Sequence, residues 1–483
     1  LDFTSLSKRQ DDCRREVDLN RRLTRDVYLD VVSLNFRDGA YSLSGPGEPV
    51  EYAVKMRQLD DEAVMGSLLS KRKIDQEAIG VLAGVLGRFY GRMPTGGEID
   101  RYGSRETVRS LSDENFAQLE PFAGSFVDAR IYGIVRSATR SFLRRRKRLF
   151  QKRIENGKIR DCHGDLRTEH IYFEKDGIQI IDCIEFNDRL RYGDITLDLA
   201  FLAMDLDFVG FPHAAGSLLT SYAQFTKDDG VFLLVEFYKC YRALVRAKVS
   251  CLKLQETELD AREKKKMMEA THRYMALAYR YALQFTRPTL WVVCGMIASG
   301  KSTFSGRLAQ KLDLRVLSTD IIRKKLFDLP PETPIDAPFE GGAYSPHATS
   351  LTYGKLLRKA QQELEKGASV ILDGTFGRRR WRSEALRLAE DMDANIVFIE
   401  TTASRSALKE RLKMRESESS VSDAHLAHLR EFETAFEPLD DIIEDLHIRI
   451  DTEAPVTQNM LQILSSDYYL LSEKIMANGD TET

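Results

Sequence analysis

The chain has 483 residues, 43% of them apolar and 30% charged, with a formal net charge of −3. This is too long for a single hydrophobic core and implies two or three domains. The near-neutral balance excludes a global pull toward nucleic acid or an anionic membrane. Six scattered cysteines with no CxxC pair indicate neither a disulfide framework nor a cysteine zinc site and fit a reducing cytosol.

Taken in order, residues 7–23 predict a charged helix, Val27–Phe36 a strand, Asp38-Gly39 a turn and Glu51–Leu59 a second strand. Helices are expected over 61–70 and 74–90, then a break at Gly96-Gly97, then helix again from 111 to 156. The end of that last stretch is strongly basic, with Arg140, Arg144, Arg145, Arg146, Lys147, Arg148, Lys152 and Arg153. A solvated face with Phe142, Leu143, Leu149 and Phe150 turned inward explains it best. A basic lip over an anionic substrate is the second reading. Nucleic-acid binding comes last, because no aromatic stacking platform accompanies the charges.

Residues 161–186, DCHGDLRTEHIYFEKDGIQIIDCIEF, form the first chemical centre. His163-Gly164-Asp165 marks a tight turn, IYF opens a strand, Lys175-Asp176-Gly177 turns a hairpin, and IQIIDC is a strand ending at Asp182. A hairpin of this kind can bring Asp165 and Asp182 together. Phosphoryl transfer uses two such carboxylates, one to accept the proton of the attacking hydroxyl and one to hold Mg²⁺, with a second metal position five residues beyond the base. His163 reads as a core histidine locking the loop to the following strand. The most apolar stretch, Ile195 to Leu219, is interrupted by Asp198, Asp205 and Asp207, so it does not span a membrane. Residues 211–285 predict mostly helix, and Arg287-Pro288 a domain boundary.

HGDLRTEHIYF followed by IIDCIEF resembles the catalytic loop and metal aspartate of the aminoglycoside phosphotransferase-like branch of the protein-kinase fold. The resemblance implies Asp165 as catalytic base, Asp182 as the Mg²⁺ aspartate, and His170 at the second metal position, where the family has asparagine. Arg167 stands where many members have histidine. Asp194 and Asp198 fall where such proteins brace the catalytic loop. Lys55 in EYAVKM superficially matches the phosphate-pairing lysine, but Glu16 on the first helix fits the glutamate-bearing helix better. On that registration the glycine-rich hairpin and its lysine lie upstream of Leu1, and the expected fold of this half is α+β and kinase-like with an incomplete N-lobe.

Leu290–Cys294 then predicts a buried strand, and Gly295, Gly300, Lys301 and Ser302 fit G-x-x-x-x-G-K-[ST]. The loop, with Gly295, Ser299, Gly300, Lys301, Ser302 and Thr303, is expected to wrap backbone N–H groups around phosphates. Lys301 would reach the β/γ oxygens and Ser302 the Mg²⁺. LDLRVLSTD predicts a strand ending at Asp320, ASVILDG one ending at Asp373, and ANIVFIE and LHIRIDT two more. Alternation with helices makes an α/β domain with a parallel sheet and its site at the strands' carboxyl ends. His425 and His428 share a helical segment without metal-binding spacing and read as surface residues.

GMIASGKST, STDIIRKKL, ILDGTF and ALKERLKMRE resemble the small P-loop kinases, including gluconate-kinase-like and zeta-toxin-like groups and domains labelled AAA-type ATPase. The resemblance implies Asp320 as base, Asp373 beside the metal, and Arg411 or Arg415 as a lid arginine. Arg323 is a candidate substrate contact. The order of the two halves, 1–286 and 287–483, resembles bacterial fusions of an aminoglycoside phosphotransferase-like domain with an ATP-binding domain. The expected function is an ATP- or GTP-dependent, Mg²⁺-requiring kinase of a small hydroxylated molecule, cytoplasmic, with its chemistry in the second half. Alternatives are a nucleotide-hydrolysing switch whose first half binds a partner, and a nucleic-acid end kinase.

Overall fold

In the computed structural model the described residues are 3–256, 259–330, 333, 335, 340–416 and 429–479, and of these the side chains at 415, 416 and 469–479 are not described. The chain divides into two compact units, Leu1–Gln284 and Phe285–Thr483.

The first unit opens with the helix Leu6–Asn20, whose Ser5 cap accepts from the Lys8 N–H. Strands β1 (Tyr28–Arg37), β2 (Ala40–Leu43) and β3 (Glu48–Met56) follow as an antiparallel sheet in the order β2-β1-β3. Asp38 and Gly39 both take positive φ in the β1–β2 turn, as a tight hairpin requires. Val17 of the helix packs on Val27 and Tyr28, with Val31, Val54 and Ile181 around them. The stretch 111–156, expected as one helix, is cut twice. Pro121 cannot donate to a helical ladder, and the chain leaves Arg105–Leu119 to restart at Ala129–Arg145 under an Asp128 cap. Arg146 (φ −102°, ψ 28°) then separates that helix from Lys147–Glu155.

Four short strands frame the first chemical centre: β4 (Ile159–Asp161), β5 (Ile171–Glu174), β6 (Gly177–Ile180) and β7 (Tyr192–Asp194). β5 and β6 make the expected hairpin, and β4 pairs with β7. β6 stops two residues short of Asp182, which takes φ +64° beyond the strand. The helix Ile195–Phe208 that follows is buried almost all round, as its predominantly apolar sequence demands, with Leu199, Phe201, Leu202 and Met204 in the core. Pro212–Thr226, Val235–Lys253 and Ala261–Thr286 are helical. Among the described residues no helix is long and apolar enough to cross a membrane.

The second unit contains β8 (Thr289–Gly295), β9 (Arg315–Ser318), β10 (Val370–Asp373), β11 (Asn395–Thr402) and β12 (His447–Asp451). They form one parallel sheet in the order β12-β11-β8-β10-β9, with β8 central and wholly buried. Parallel strands joined by crossover helices are covered on both faces, which explains their continuous apolar character. Leu290, Val292, Leu372 and Phe398 share a core with Leu356 and Trp381 from the flanking helices. The expected second strand proves shorter: β9 ends at Ser318, and Thr319 and Asp320 open the helix Thr319–Leu326. Asp320 therefore stands in a first helical turn, where a carboxylate is favoured by the helix dipole.

Candidate functional site

At the carboxyl end of β8 the chain turns sharply through Gly295 (φ +133°), Ala298 (φ +59°) and Gly300 (φ +95°) before entering the helix Lys301–Leu312. A Cβ on Gly295 would lie 2.4 Å from the Thr401 carbonyl oxygen, so no side chain fits there. The turn is pinned from behind. The Gly295 N–H donates to the Thr375 carbonyl (3.2 Å), the Ser299 hydroxyl bonds that of Thr401 (2.6 Å), and the Thr452 hydroxyl donates to the Ser299 carbonyl (2.8 Å). Ser299 thus serves the loop's shape, with its side chain buried. The Lys301 ammonium donates to the Met296 carbonyl across the loop (2.6 Å).

In front of the turn lies a cavity of roughly 510 Å³. Lys301, Ser302, Asp320 and Asp373 all line it, so the structure brings together residues 72 positions apart in sequence, from Lys301 to Asp373. Asp373 is buried at the end of β10, and its carbonyl accepts from the Thr319 hydroxyl (3.2 Å). Gly300 lines the same cavity; Thr303 is exposed on the following helix and lies outside the lining.

The far wall holds groups that sequence reasoning missed or left open. Tyr344, Tyr353, Trp381 and Phe436 supply apolar surface. Tyr353 and Trp381 stack at 4.6 Å, and the Tyr353 hydroxyl accepts the Phe376 N–H, fixing the segment after β10. Arg323 is 5% exposed and lies 4.4 Å over the Tyr344 ring. Its Nη1 donates to the Ala343 carbonyl (2.6 Å), its Nε has no hydrogen-bond partner, and no carboxylate pairs with it among the described residues. A buried guanidinium without a counter-ion is costly unless a ligand provides one. Trp381, directly after the arginine run, is marked by its position; Tyr344, Tyr353 and Phe436 carry no local signal, because they come from separate segments of the chain.

Arg411 is not among the cavity-lining residues. Its guanidinium sits behind the loop, donating to the Ala298 carbonyl (3.3 Å) and to the hydroxyl and carbonyl of Thr452 (2.9 and 3.2 Å). Arg415 falls in the same helix, with its side chain outside the described residues, as are His425 and His428 entirely. Arg378, Arg379 and Arg380 are engaged with Glu340, Asp440 and Glu384. Arg382, fully buried, clamps Asp441 and the carbonyls of Phe376, Glu437 and Pro438.

The first unit carries a second constellation. Asp198 accepts the backbone N–H groups of His163 (2.8 Å) and Gly164 (2.9 Å) and the Tyr90 hydroxyl (3.0 Å), which holds the loop after β4. Asp194 does different work: it pairs with buried Arg153, which also reaches Asp228. His163 bonds the Ile181 carbonyl through Nε2 (3.0 Å), and burial drives its pKa down to about 4, so it stays neutral. Asp165 meets the Arg167 guanidinium at 2.9 Å. Burial alone would raise the Asp165 carboxyl, but the adjoining guanidinium outweighs it and holds the group below its ordinary value.

His170 lies 3.2 Å from Asp182 through Nε2, while its Nδ1 bonds the Asp165 carbonyl (2.9 Å). One ligand atom from each of Asp165, His170 and Asp182 lies within 4.8 Å of the others. Glu16 stands near them: burial first, then Glu185, Asp182 and Asp12, raise its pKa to about 7. Lys55 is exposed on β3.

Strand, glycine turn and helix, with a parallel sheet behind them, define an AAA-type P-loop domain, and residues 290–439 match the family model described as AAA domain. Matching solved structures include a gluconokinase from Sinorhizobium meliloti (18% identical, covering 41% of this chain and 98% of that one, TM-score 0.27). Another is the Mycobacterium tuberculosis APS kinase CysC in complex with AMPPNP and APS (16% identical, covering 37% and 97%, TM-score 0.29). Taken whole, the chain belongs to the same family as the uncharacterized proteins Rv2004c of Mycobacterium tuberculosis and Mb2027c of Mycobacterium bovis. It is 33% identical to each over 426 residues, 88% of this chain and 82% of theirs.

Proposed function

We propose that the second unit is a kinase that moves the terminal phosphoryl group of ATP or GTP to a hydroxyl of a small molecule. The observation that carries this reading is one cavity lined by Lys301, Ser302, Asp320 and Asp373, with the Arg323 guanidinium on its far wall. The glycine turn suits a polyphosphate, since it leads through Gly300 into the N-terminus of the helix Lys301–Leu312, with Gly300, Lys301 and Ser302 lining the cavity. The oxygen donors of Ser302 and Asp373 fit a hard Mg²⁺. A bound nucleotide–Mg²⁺ complex supplies the phosphoryl group and spreads its negative charge.

The chain's own residues do the rest. Lys301 leaves the Met296 carbonyl to meet phosphate oxygens. Asp320 accepts the proton of the acceptor hydroxyl, and Arg323 holds an anionic part of the acceptor while the aromatic wall excludes water. Arg411 supports the loop from behind and takes no part at the transferring group.

The first unit we read as protein-kinase-like, of the aminoglycoside phosphotransferase branch. The support is the Asp198 anchor under His163–Gly164 and the hairpin that brings Asp182 to His170. A base whose carboxylate is already paired with a guanidinium is a weak proton acceptor, which supports reading the second unit as the site of the chemistry. The test is transfer from γ-labelled ATP or GTP to a panel of hydroxylated metabolites by the intact chain. Labelled acceptor supports the kinase; release of free phosphate with no labelled product overturns it in favour of a nucleotide-hydrolysing switch.

A further inference from the structure

The donor set of the first unit does not suit magnesium. We propose that Asp165, His170 and Asp182 bind a first-row transition ion of the Mn²⁺, Co²⁺ or Zn²⁺ class, without nucleotide, and that Arg167 is the resident cation which that ion displaces. The proposal concerns the first unit alone and stands whether or not the second unit is a kinase.

The imidazole is held as a ligand should be. His170 is 8% exposed, and its Nδ1 bonds the Asp165 carbonyl, which fixes the tautomer with its proton on Nδ1 and leaves the lone pair on Nε2. That Nε2 accepts from the Arg167 guanidinium at 3.3 Å, consistent with the same tautomer. It also confronts a carboxylate oxygen of Asp182 at 3.2 Å. Two acceptors at that distance repel one another unless a cation lies between or beside them, and Arg167 is the cation the fold provides. Its Nη2 is 2.9 Å from Asp165 and within reach of His170, so one guanidinium nitrogen occupies the space between two of the three donors.

Metal bonds of about 2.0–2.2 Å place donors up to roughly 4 Å apart. The three atoms here lie within 4.8 Å of one another, and Asp182, whose side chain is 63% exposed, has room to rotate and close the difference. One nitrogen with two carboxylates favours the borderline first-row ions, whereas Mg²⁺ prefers oxygen donors and keeps its waters. Arg167 contacts Glu169 as well as Asp165, so the carboxylate that an ion would take from it is replaced in part by one it already touches.

The test uses the full-length chain, stripped with a chelator and free of nucleotide, titrated with Mn²⁺ and followed by electron paramagnetic resonance, with Co²⁺ absorption as a second probe. One bound Mn²⁺ showing ¹⁴N coupling, with Mg²⁺ a poor competitor, is the expected result. His170→Asn should abolish the nitrogen coupling and narrow the preference over Mg²⁺. Asp182→Asn should weaken Mn²⁺ binding ~10–100-fold. Arg167→Gln should strengthen it, a gain that misfolding cannot mimic, and Lys301→Ala should leave it unchanged. No binding without nucleotide, binding without nitrogen coupling, equal competition by Mg²⁺, or unaltered affinity in Arg167→Gln would each overturn the proposal.

Discussion

Both units place two carboxylates near the ends of short strands, yet they surround them oppositely. In the first, the cation beside Asp165 comes from Arg167, two residues along the same loop, and the ion pair fills the space it neutralises. In the second, Lys301, Asp320, Asp373 and Arg323 come from three separate elements that converge on a cavity large enough for a ligand. Charge supplied locally closes a site; charge supplied from across a sheet leaves room between the partners. The same pair of residue types therefore makes a tight cluster in one unit and a reaction chamber in the other.

The sharpest way to break this comparison is to remove one charged group from each unit's machinery. Lys301→Ala should lower phosphoryl transfer on the order of 10⁴-fold, because it removes the ammonium that follows the glycine turn and meets the β/γ oxygens. Asp165→Ala, assayed in parallel, should leave the rate within a few-fold of the parent. Loss of turnover in the Asp165 variant alone would move the chemistry to the first unit. Next in size, Asp320→Asn keeps the shape and removes the proton acceptor; single-turnover rates should fall about 10³-fold, with nucleotide binding by calorimetry unchanged. If nucleotide binding fell equally, Asp320 would be a binding group rather than the base.

A third substitution tests structure rather than chemistry. Asp441→Asn leaves Arg382, fully buried, without its counter-charge, and breaking such a pair costs about 3–5 kcal/mol. The second unit's unfolding midpoint in denaturant should drop accordingly while the first unit's holds. A uniform shift of both transitions would show that the clamp is not confined to the second unit.

Much of the second unit was legible in the sequence because its information is local. A valine-rich strand, a glycine turn with lysine and serine, and carboxylates closing two other strands are each readable within ten residues. The boundaries slipped where local rules compete. Asp320 was expected at a strand end, but a carboxylate in a first helical turn meets the helix dipole, and the helix begins one residue earlier. Across 111–156 the helical periodicity overrode the signal of Pro121, which the structure obeys.

What stayed illegible is long-range pairing of charge. Arg382 finds Asp441 59 residues away, and Arg153, which looked like one more member of a solvated basic run, is buried against Asp194 and Asp228 at separations of 41 and 75. Arg411 looked like a lid residue from its charged helix, and only the fold reveals Thr452 waiting behind the loop. In the other direction, the pairing of Asp165 with Arg167 spans two residues, but nothing in the spacing tells a loop arginine that turns inward from one that faces solvent.

The smallest predicted effect probes the acidic side of the first unit. Glu16 has its pKa raised to about 7, through burial first and then through Glu185, Asp182 and Asp12. The folded state therefore holds this proton more tightly than the unfolded chain, whose glutamates titrate near pH 4.5. Its contribution to stability is fully present below that lower value and is lost as pH rises through about 7. Because the carboxylate is only half buried, screening reduces the loss to about 1–2 kcal/mol. Glu16→Gln cannot ionise, so the variant should match the parent near pH 4 and exceed it by that amount at pH 8, measured on the first unit's transition in the presence of a chelator. A variant equally stable relative to the parent at both pH values would show that the neighbouring carboxylates do not press on Glu16. The contrast between a crowded acidic cluster and an open chamber lined by both signs of charge would then lose its energetic half.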